Sequence, residues 1–164
     1  MTIMKQNAIY PGSFDPITYG HLDLIKRATK IFDKVTVAVA KTSPKIPLFD
    51  IDERVAMIKA VTMNFKGITV ESFDGLVVDY ARQKNTRVII RGLRMLSDFE
   101  LEFQMALTNR RLAEDVETIF LMPSEGYSFL SSTLLKQAAS LGADVSSFVP
   151  PLIAKKLKER LKKT

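Results

Sequence analysis

The 164-residue sequence contains no cysteine and a single histidine, His21. The first absence excludes disulfides and thiolate metal sites, and the second a histidine-rich metal site. No apolar run approaches the roughly 20 residues that cross a bilayer. Residues 1–6 lack the apolar core of a signal peptide. A cytoplasmic protein with no membrane partner is therefore expected. Internal repeats, low-complexity tracts and linkers are missing too, so residues 1–164 read as one domain, long enough for a real core. After the first expected strand there is no G-x-G-x-x-G, which argues against a nicotinamide-dependent enzyme. Order and spacing yield no Ser-His-Asp set, and no carboxylate cluster looks like a dedicated metal cage.

Negative charge is also in deficit, with 18 acidic against 24 basic residues and a net charge of +6. Such a balance can signal nucleic acid, but the surplus is local. Residues 151–164 hold six Lys and Arg against Glu159 alone, and so account for five of the six net charges. Ile153, Leu157 and Leu161 share one side of that segment. This pattern predicts an amphipathic basic helix at about 150–163, docked by its apolar side, and no nucleic-acid partner. The rival reading is a non-catalytic RNA-binding protein that uses this helix. Deleting 151–164 would abolish RNA binding in that case and leave catalysis largely intact in the other.

What the chain does have is regular alternation. Apolar runs at 7–10, 35–40, 68–71, 87–90 and 118–121 predict strands. Between them lie helical patterns: one beginning near Gly20, one through Val55, Ile58 and Val61 capped by Asp52, one at about 76–84, and one from Asp98 to about Ala113. Ser131 or Ser132 should cap a further helix, which Gly142 stops, and Pro150 and Pro151 precede the last. Alternating strands and helices imply an α/β fold: a Rossmann-like, doubly wound, five-stranded parallel sheet in the order 3-2-1-4-5, with helices on both faces. Ligands of such sheets bind beyond the carboxyl ends of the strands, where the winding reverses between strands 1 and 4.

Two stretches suited to phosphate would meet there. Residues 10–21 pack two prolines and two glycines between the first strand and its helix, and end on His21 in the helix's first turn. Backbone N–H groups and the positive helix end would converge on one point. The imidazole could grip phosphate as a neutral donor or as imidazolium. After strand 4 come Arg91, Gly92, Leu93 and Arg94, whose guanidinium forks match phosphate oxygens. Lys45, in the loop after strand 2, can reach over the site. Residues 127–133 bring hydroxyls to another helix N-terminus after strand 5. This inventory suits phosphoryl or nucleotidyl transfer by positioning and charge stabilisation, without a covalent intermediate.

Thr18-Tyr19-Gly20-His21 resembles the [HT]-x-G-H signature of the nucleotidyltransferase superfamily, with Thr where many members have the first His. Adding Gly12-Ser13-Phe14-Asp15-Pro16, Arg91-Gly92-Leu93-Arg94, the acidic run at 98–102, residues 120–124 and 131–133, nearly the whole chain resembles the bacterial phosphopantetheine adenylyltransferases of coenzyme A biosynthesis. The resemblance implies direct in-line transfer of the adenylyl group of ATP to 4′-phosphopantetheine, giving dephospho-coenzyme A and pyrophosphate. It implies that Ser13, Lys45 and Arg91 hold phosphopantetheine, with Leu76 and Val77 beside its pantetheine arm. ATP would lie on Ser13, Phe14, His21, Gly92, Leu93, Arg94, Glu102, Tyr127, Ser128, Phe129, Leu130, Ser131, Ser132 and Thr133. His21 would bind and stabilise the reacting α-phosphate. Also implied are Mg2+ held mainly by substrate phosphates, a homohexamer and feedback inhibition by coenzyme A. Ser13 replaces a Thr of many members, and Tyr127 a Trp of some. Sister cytidylyl- and nicotinate-mononucleotide adenylyltransferases are the near rivals.

Overall fold

The computed structural model describes residues 6–162. Five strands are present there: β1 (Asn7–Gly12), β2 (Lys34–Ala40), β3 (Ile68–Phe73), β4 (Val88–Gly92) and β5 (Glu117–Leu121). They form one parallel sheet in the order β3-β2-β1-β4-β5. The helices are α1 (Tyr19–Ala28), α2 (Ile51–Thr62), α3 (Val77–Gln83), α4 (Leu96–Leu112), α5 (Ser132–Ser140) and α6 (Pro151–Leu161).

The strand pleat divides the core. Ala8 and Tyr10 of β1, with Val35, Val37 and Val39 of β2, pack into one cluster with Ile25 of α1, Ile58 of α2, Leu135 of α5, and Ile153 and Leu157 of α6. Ile9 and Ala38 face the other way, onto Val78 and Ala81 of α3, with Ala113 and Val116. Burial on both faces explains why β1 and β2 read as continuous apolar runs. β1 and β4 are adjacent and parallel, so the expected winding reversal lies beside residues 12–21.

Several boundaries differ from the sequence reading. Asp50, not Asp52, caps α2. Its carboxylate accepts the Glu53 N–H at 2.8 Å while Glu53 accepts the Asp50 N–H at 3.0 Å. The Asp-x-x-Glu spacing of a capping box exists from Asp50 and not from Asp52. α4 opens at Leu96 rather than Asp98, because the Asp98 carboxylate is engaged by Arg94. Arg91 and Gly92 belong to β4, not to the loop after it: the ladder with β5 continues through Phe120 and Leu121 beyond the apolar run. Ser131 caps α5, and Gly142 beyond it has a φ of +87°, as a helix stop requires. α6 is no appendage. Ile153 and Leu157 are fully buried, and Arg160 donates to Leu48 O at 3.0 Å and pairs with Glu53. Deleting 151–164 would therefore strip the core, contrary to the expectation that chemistry survives it.

Candidate active site

The turn from β1 into α1 is closed by His21 itself. Thr18 is the N-cap, and its Oγ1 accepts the His21 N–H at 3.3 Å. In return the Thr18 N–H donates to His21 Nδ1 at 3.1 Å. The imidazole thus takes the place that Glu or Gln holds in a capping box. A ring nitrogen that accepts carries no proton, so the neutral ring bears its single proton on Nε2. Burial, with Arg94 and Arg91 adding repulsion, pushes the His21 pKa from 6.5 down to about 4. Of the two protonation states the sequence left open, the free site therefore holds the neutral donor. Phe14, buried and at a φ of +48°, packs edge-on against the imidazole at 5.1 Å. Such a φ is rare for a residue with a side chain, and here it turns the chain back toward the helix.

His21 lines a cavity of about 330 Å3 together with Ser13, Phe14, Gly92, Arg94, Tyr127 and the Ser131–Thr133 turn. Gly92 lets β4 pass close to α1: a Cβ there would stand 2.5 Å from Leu24 Cδ1 and oblige that side chain to shift. Arg94 donates to Leu130 O at 2.6 Å and to Asp98, which ties the loop after β4 to the start of α5. A second cavity, of about 520 Å3, adjoins the first at Ser13. Lys45, Leu76, Val77, Phe73, Met105 and Asn109 are among its walls. Ser13, Arg91 and Glu102 line both spaces.

Arg91 stands at that junction in a fixed pose. Its Nε and Nη2 donate to Glu102 at 2.8 and 2.5 Å, and Nη1 donates to Pro11 O at 3.0 Å. Burial lowers its pKa, but the Glu102 bonds and charge outweigh that and raise it, so the guanidinium stays charged. Three of its five N–H groups are thereby engaged among the described residues, which leaves two for a ligand.

The chain has sequence relatives over nearly its whole length. The cytidylyltransferase-like family profile matches residues 9–138. A phosphopantetheine adenylyltransferase of Caldanaerobacter subterraneus subsp. tengcongensis is 54% identical over 157 residues, 96% of this chain and 98% of its own length. That of Thermodesulfovibrio yellowstonii is 53% identical, covering 98% of this chain and its own full length. The chain belongs to the phosphopantetheine adenylyltransferase family. It is an enzyme, a nucleotidyltransferase. Among solved structures, a putative nicotinate-nucleotide adenylyltransferase from Vibrio parahaemolyticus shares the fold at a TM-score of 0.69 and 20% identity, covering 96% of this chain and 95% of its own. The nicotinic acid mononucleotide adenylyltransferase of Plasmodium falciparum, complexed with NaAD, does so at 0.68 and 16%, covering 97% and 95%.

For a member of this family, the sequence-picked residues divide clearly. Ser13, Phe14, His21, Gly92, Arg94, Glu102, Tyr127, Leu130, Ser131, Ser132 and Thr133 line the smaller cavity. Ser13, Lys45, Leu76, Val77 and Arg91 line the larger. Leu93, Ser128 and Phe129 line neither: Leu93 N–H is spent on Leu121 O, Ser128 Oγ donates to Glu125 O, and Phe129 packs on Phe148. The sequence reading gave no role to Asp15, Asp23, Arg54 or Lys136. Arg54, 1% exposed, donates to the carbonyls of Ser13, Ala40, Phe49 and Asp50. Its signal was available, since an arginine at 54 falls on the buried stripe of α2 with Met57 and Ile58.

Proposed function

We propose that this enzyme transfers the adenylyl group of ATP to 4′-phosphopantetheine, releasing pyrophosphate and giving dephospho-coenzyme A in the cytoplasm. The observation that carries the reading is the pair of cavities meeting at Ser13 and Arg91. The smaller has an anion-binding character suited to a nucleoside triphosphate: the N-termini of α1 and α5, Arg94, and the Nε2–H of His21. The larger has Lys45 near the junction and apolar walls from Leu76, Val77 and Phe73, which suits a phosphate carrying a pantetheine arm.

In this reading the acceptor phosphate, steered by Lys45 and the spare N–H groups of Arg91, attacks the α-phosphorus of ATP in line with the departing pyrophosphate. Two anionic substrates repel, and the cations between them offset that repulsion. Charge builds on the non-bridging oxygens in the transition state, where the fixed His21 donor helps most. The proposal includes Mg2+ carried by the triphosphate. Asp98 and Glu102, the carboxylates on the nucleotide cavity, are engaged by arginines, and the described residues contain no group of three His, Asp or Glu that could hold a metal. That donor set fits an ion held mainly by phosphates, and such an ion would offset their charge when bound.

Assembly and feedback belong to the same proposal. Phe99, Phe103 and Leu107 share one side of α4 and are each more than 40% exposed, more apolar surface than one helix face keeps in water. A homohexamer would cover it. Coenzyme A, which shares the pantetheine arm, would inhibit from the larger cavity. The test is pyrophosphate release with ATP and phosphopantetheine, set against nicotinate mononucleotide as acceptor and CTP as donor. Rapid turnover with phosphopantetheine and ATP alone is expected. Preference for another pair would overturn the assignment.

A further inference from the structure

Neither Asp15 nor Asp23 is a wall of the two cavities, yet each carboxylate holds the loop that walls one of them. Asp15 is 4% exposed and lies two residues after Ser13. Its Oδ2 accepts the Leu48 N–H at 2.9 Å and its Oδ1 the Phe49 N–H at 2.9 Å. Lys136 of α5 donates to the same carboxylate and balances its charge. Leu48 and Phe49 end the connection from β2 to α2, which carries Thr42, Ser43, Pro44 and Lys45 along the larger cavity. Asp23, on α1 two residues after His21, accepts the Ser124 N–H and the Ser124 hydroxyl, both at 2.8 Å. Ser124 opens the turn Glu125–Tyr127, and Pro123 and Tyr127 wall the smaller cavity.

We propose that Asp15 and Asp23 are positioning residues with separate duties: Asp15 sets the acceptor loop against Ser13, and Asp23 sets the nucleotide loop against His21. The duties rest on the reading of the larger cavity as the acceptor's and the smaller as the nucleotide's. Both carboxylates belong to the β1–α1 segment that carries the reacting groups. Each therefore measures its loop from the centre of the chemistry. A loop held by backbone N–H bonds to a fixed carboxylate loses little entropy when its substrate arrives. The loop bases have braces of their own: Arg54 and Arg160 hold Phe49 O and Leu48 O, and Ser132 Oγ donates to Pro16 O at 2.9 Å. Those braces keep the fold when a carboxylate is changed.

The side-chain chemistry dictates the variants. Asparagine has one acceptor oxygen, so Asp15→Asn keeps one loop N–H bond, loses the other and loses the charge pair with Lys136. At position 23 asparagine is nearly neutral, because the Ser124 hydroxyl can turn and accept from its amide. Asp23→Ala removes both bonds. Steady-state kinetics with each substrate varied in turn is the test. Asp15→Asn should raise KM for phosphopantetheine about tenfold, as a small misplacement of a binding loop does, and leave that for ATP within about twofold. Asp23→Ala should do the reverse, and Asp23→Asn should restore wild-type values. A role in stability alone would move both KM values together or neither, and either result overturns the proposal. Amide exchange on the wild-type protein tests it without any variant. The Leu48, Phe49 and Ser124 amides should exchange more slowly than those of Thr42 and Ser43, and equal rates overturn it. If the wild type fails to turn over phosphopantetheine, the functional reading has failed instead. If it turns over and the variants show no substrate selectivity, the positioning has.

Discussion

Replacing His21 by alanine and by asparagine should separate two tasks that one ring performs. Nδ1 closes the α1 capping box by accepting the Thr18 N–H at 3.1 Å, and Nε2 presents the ring's only proton to the nucleotide cavity. Alanine removes both. The lost cap costs about 1 kcal/mol, which in a chain of this size lowers Tm by about 2–4 °C. The lost donor costs about 3–4 kcal/mol in the transition state, so kcat should fall about 10²–10³-fold. Asparagine divides the effects. Its Oδ1 superimposes on Nδ1 and can accept the Thr18 N–H, but nothing replaces Nε2. His21→Asn should therefore recover the melting temperature and keep the deficit in kcat. ATP affinity should change little in either variant, because the donor acts mainly on charge that develops during reaction. The assay is pyrophosphate release at saturating substrates, with ATP titration and thermal unfolding on the same preparations. Recovery of kcat by His21→Asn would refute the catalytic role and leave only the cap. A lower Tm with unchanged kcat in His21→Ala would refute it equally.

The same ring gives a pH prediction. The unfolded chain binds a proton on His21 near pH 6.5 and the folded chain only near pH 4, so its contribution to stability is complete above 6.5 and lost as pH falls toward 4. Burial and the repulsion of Arg94 and Arg91 together amount to at most about 3 kcal/mol, less whatever water at the cavity mouth screens. Urea unfolding at pH 7 and pH 4.5 should show a steeper loss for wild type than for His21→Asn, and parallel losses would contradict the assignment. Lys45→Ala should raise KM for phosphopantetheine more than for ATP. Arg91→Ala should do so more severely, by about 2–5 kcal/mol in kcat/KM, because it also leaves the largely buried Glu102 carboxylate unpaired; normal phosphopantetheine kinetics in either variant would remove that residue from the acceptor site. Leu157→Ala should cost about 2–5 kcal/mol by opening a hole beneath α6, and deleting 151–164 should prevent folding, as circular dichroism would report. Phe103→Glu should dissociate the proposed hexamer in sedimentation, and a monomeric wild type would refute that interface.

The fold was legible because its determinants are local. Apolar runs, proline and glycine punctuation, and Thr18 before a helical stripe each sit within a few residues of what they cause. The strand order followed from alternation and the handedness of crossovers, and Ser13 and Arg91 do reach common walls across the β1–β4 pair. What escaped the reading is long-range. Asp15 bonds to Leu48 and Phe49, Asp23 to Ser124, and Arg54 to Ser13, partners separated by 33 to 101 positions. Nothing adjacent in the chain marks the two aspartates, and the buried stripe of α2 marks Arg54 as buried without naming its partners. The misplaced helix starts have a different cause, since what each carboxylate bonds to decides whether it caps. Asp50 won over Asp52 because Glu53 completes its box, and Asp98 was drawn away by Arg94.

The charges around the reacting centre also explain how a protein can hold so many cations before any phosphate arrives. Arg91 is paired with Glu102, Arg94 with Asp98, and Lys136 with Asp15. Buried, unpaired guanidinium groups would repel one another and destabilise the free enzyme, whereas pairing neutralises them at the cost of some attraction for substrate. The bonding pattern at Arg91 limits that cost. Glu102 takes the Nε side of the guanidinium, Pro11 O takes one Nη1 bond, and the remaining N–H groups stay available without breaking either. A phosphate can then bind an arginine whose pose is already fixed, and the entropy of ordering that side chain has been spent in folding. Glu102→Gln separates this view from one in which Glu102 merely competes with substrate. A competitor's removal would tighten phosphopantetheine binding. Loss of a positioning partner would leave the guanidinium charged but less constrained, and KM would rise. The fixed geometry of Arg91, with two N–H donors left over at the junction of the two cavities, predicts the rise.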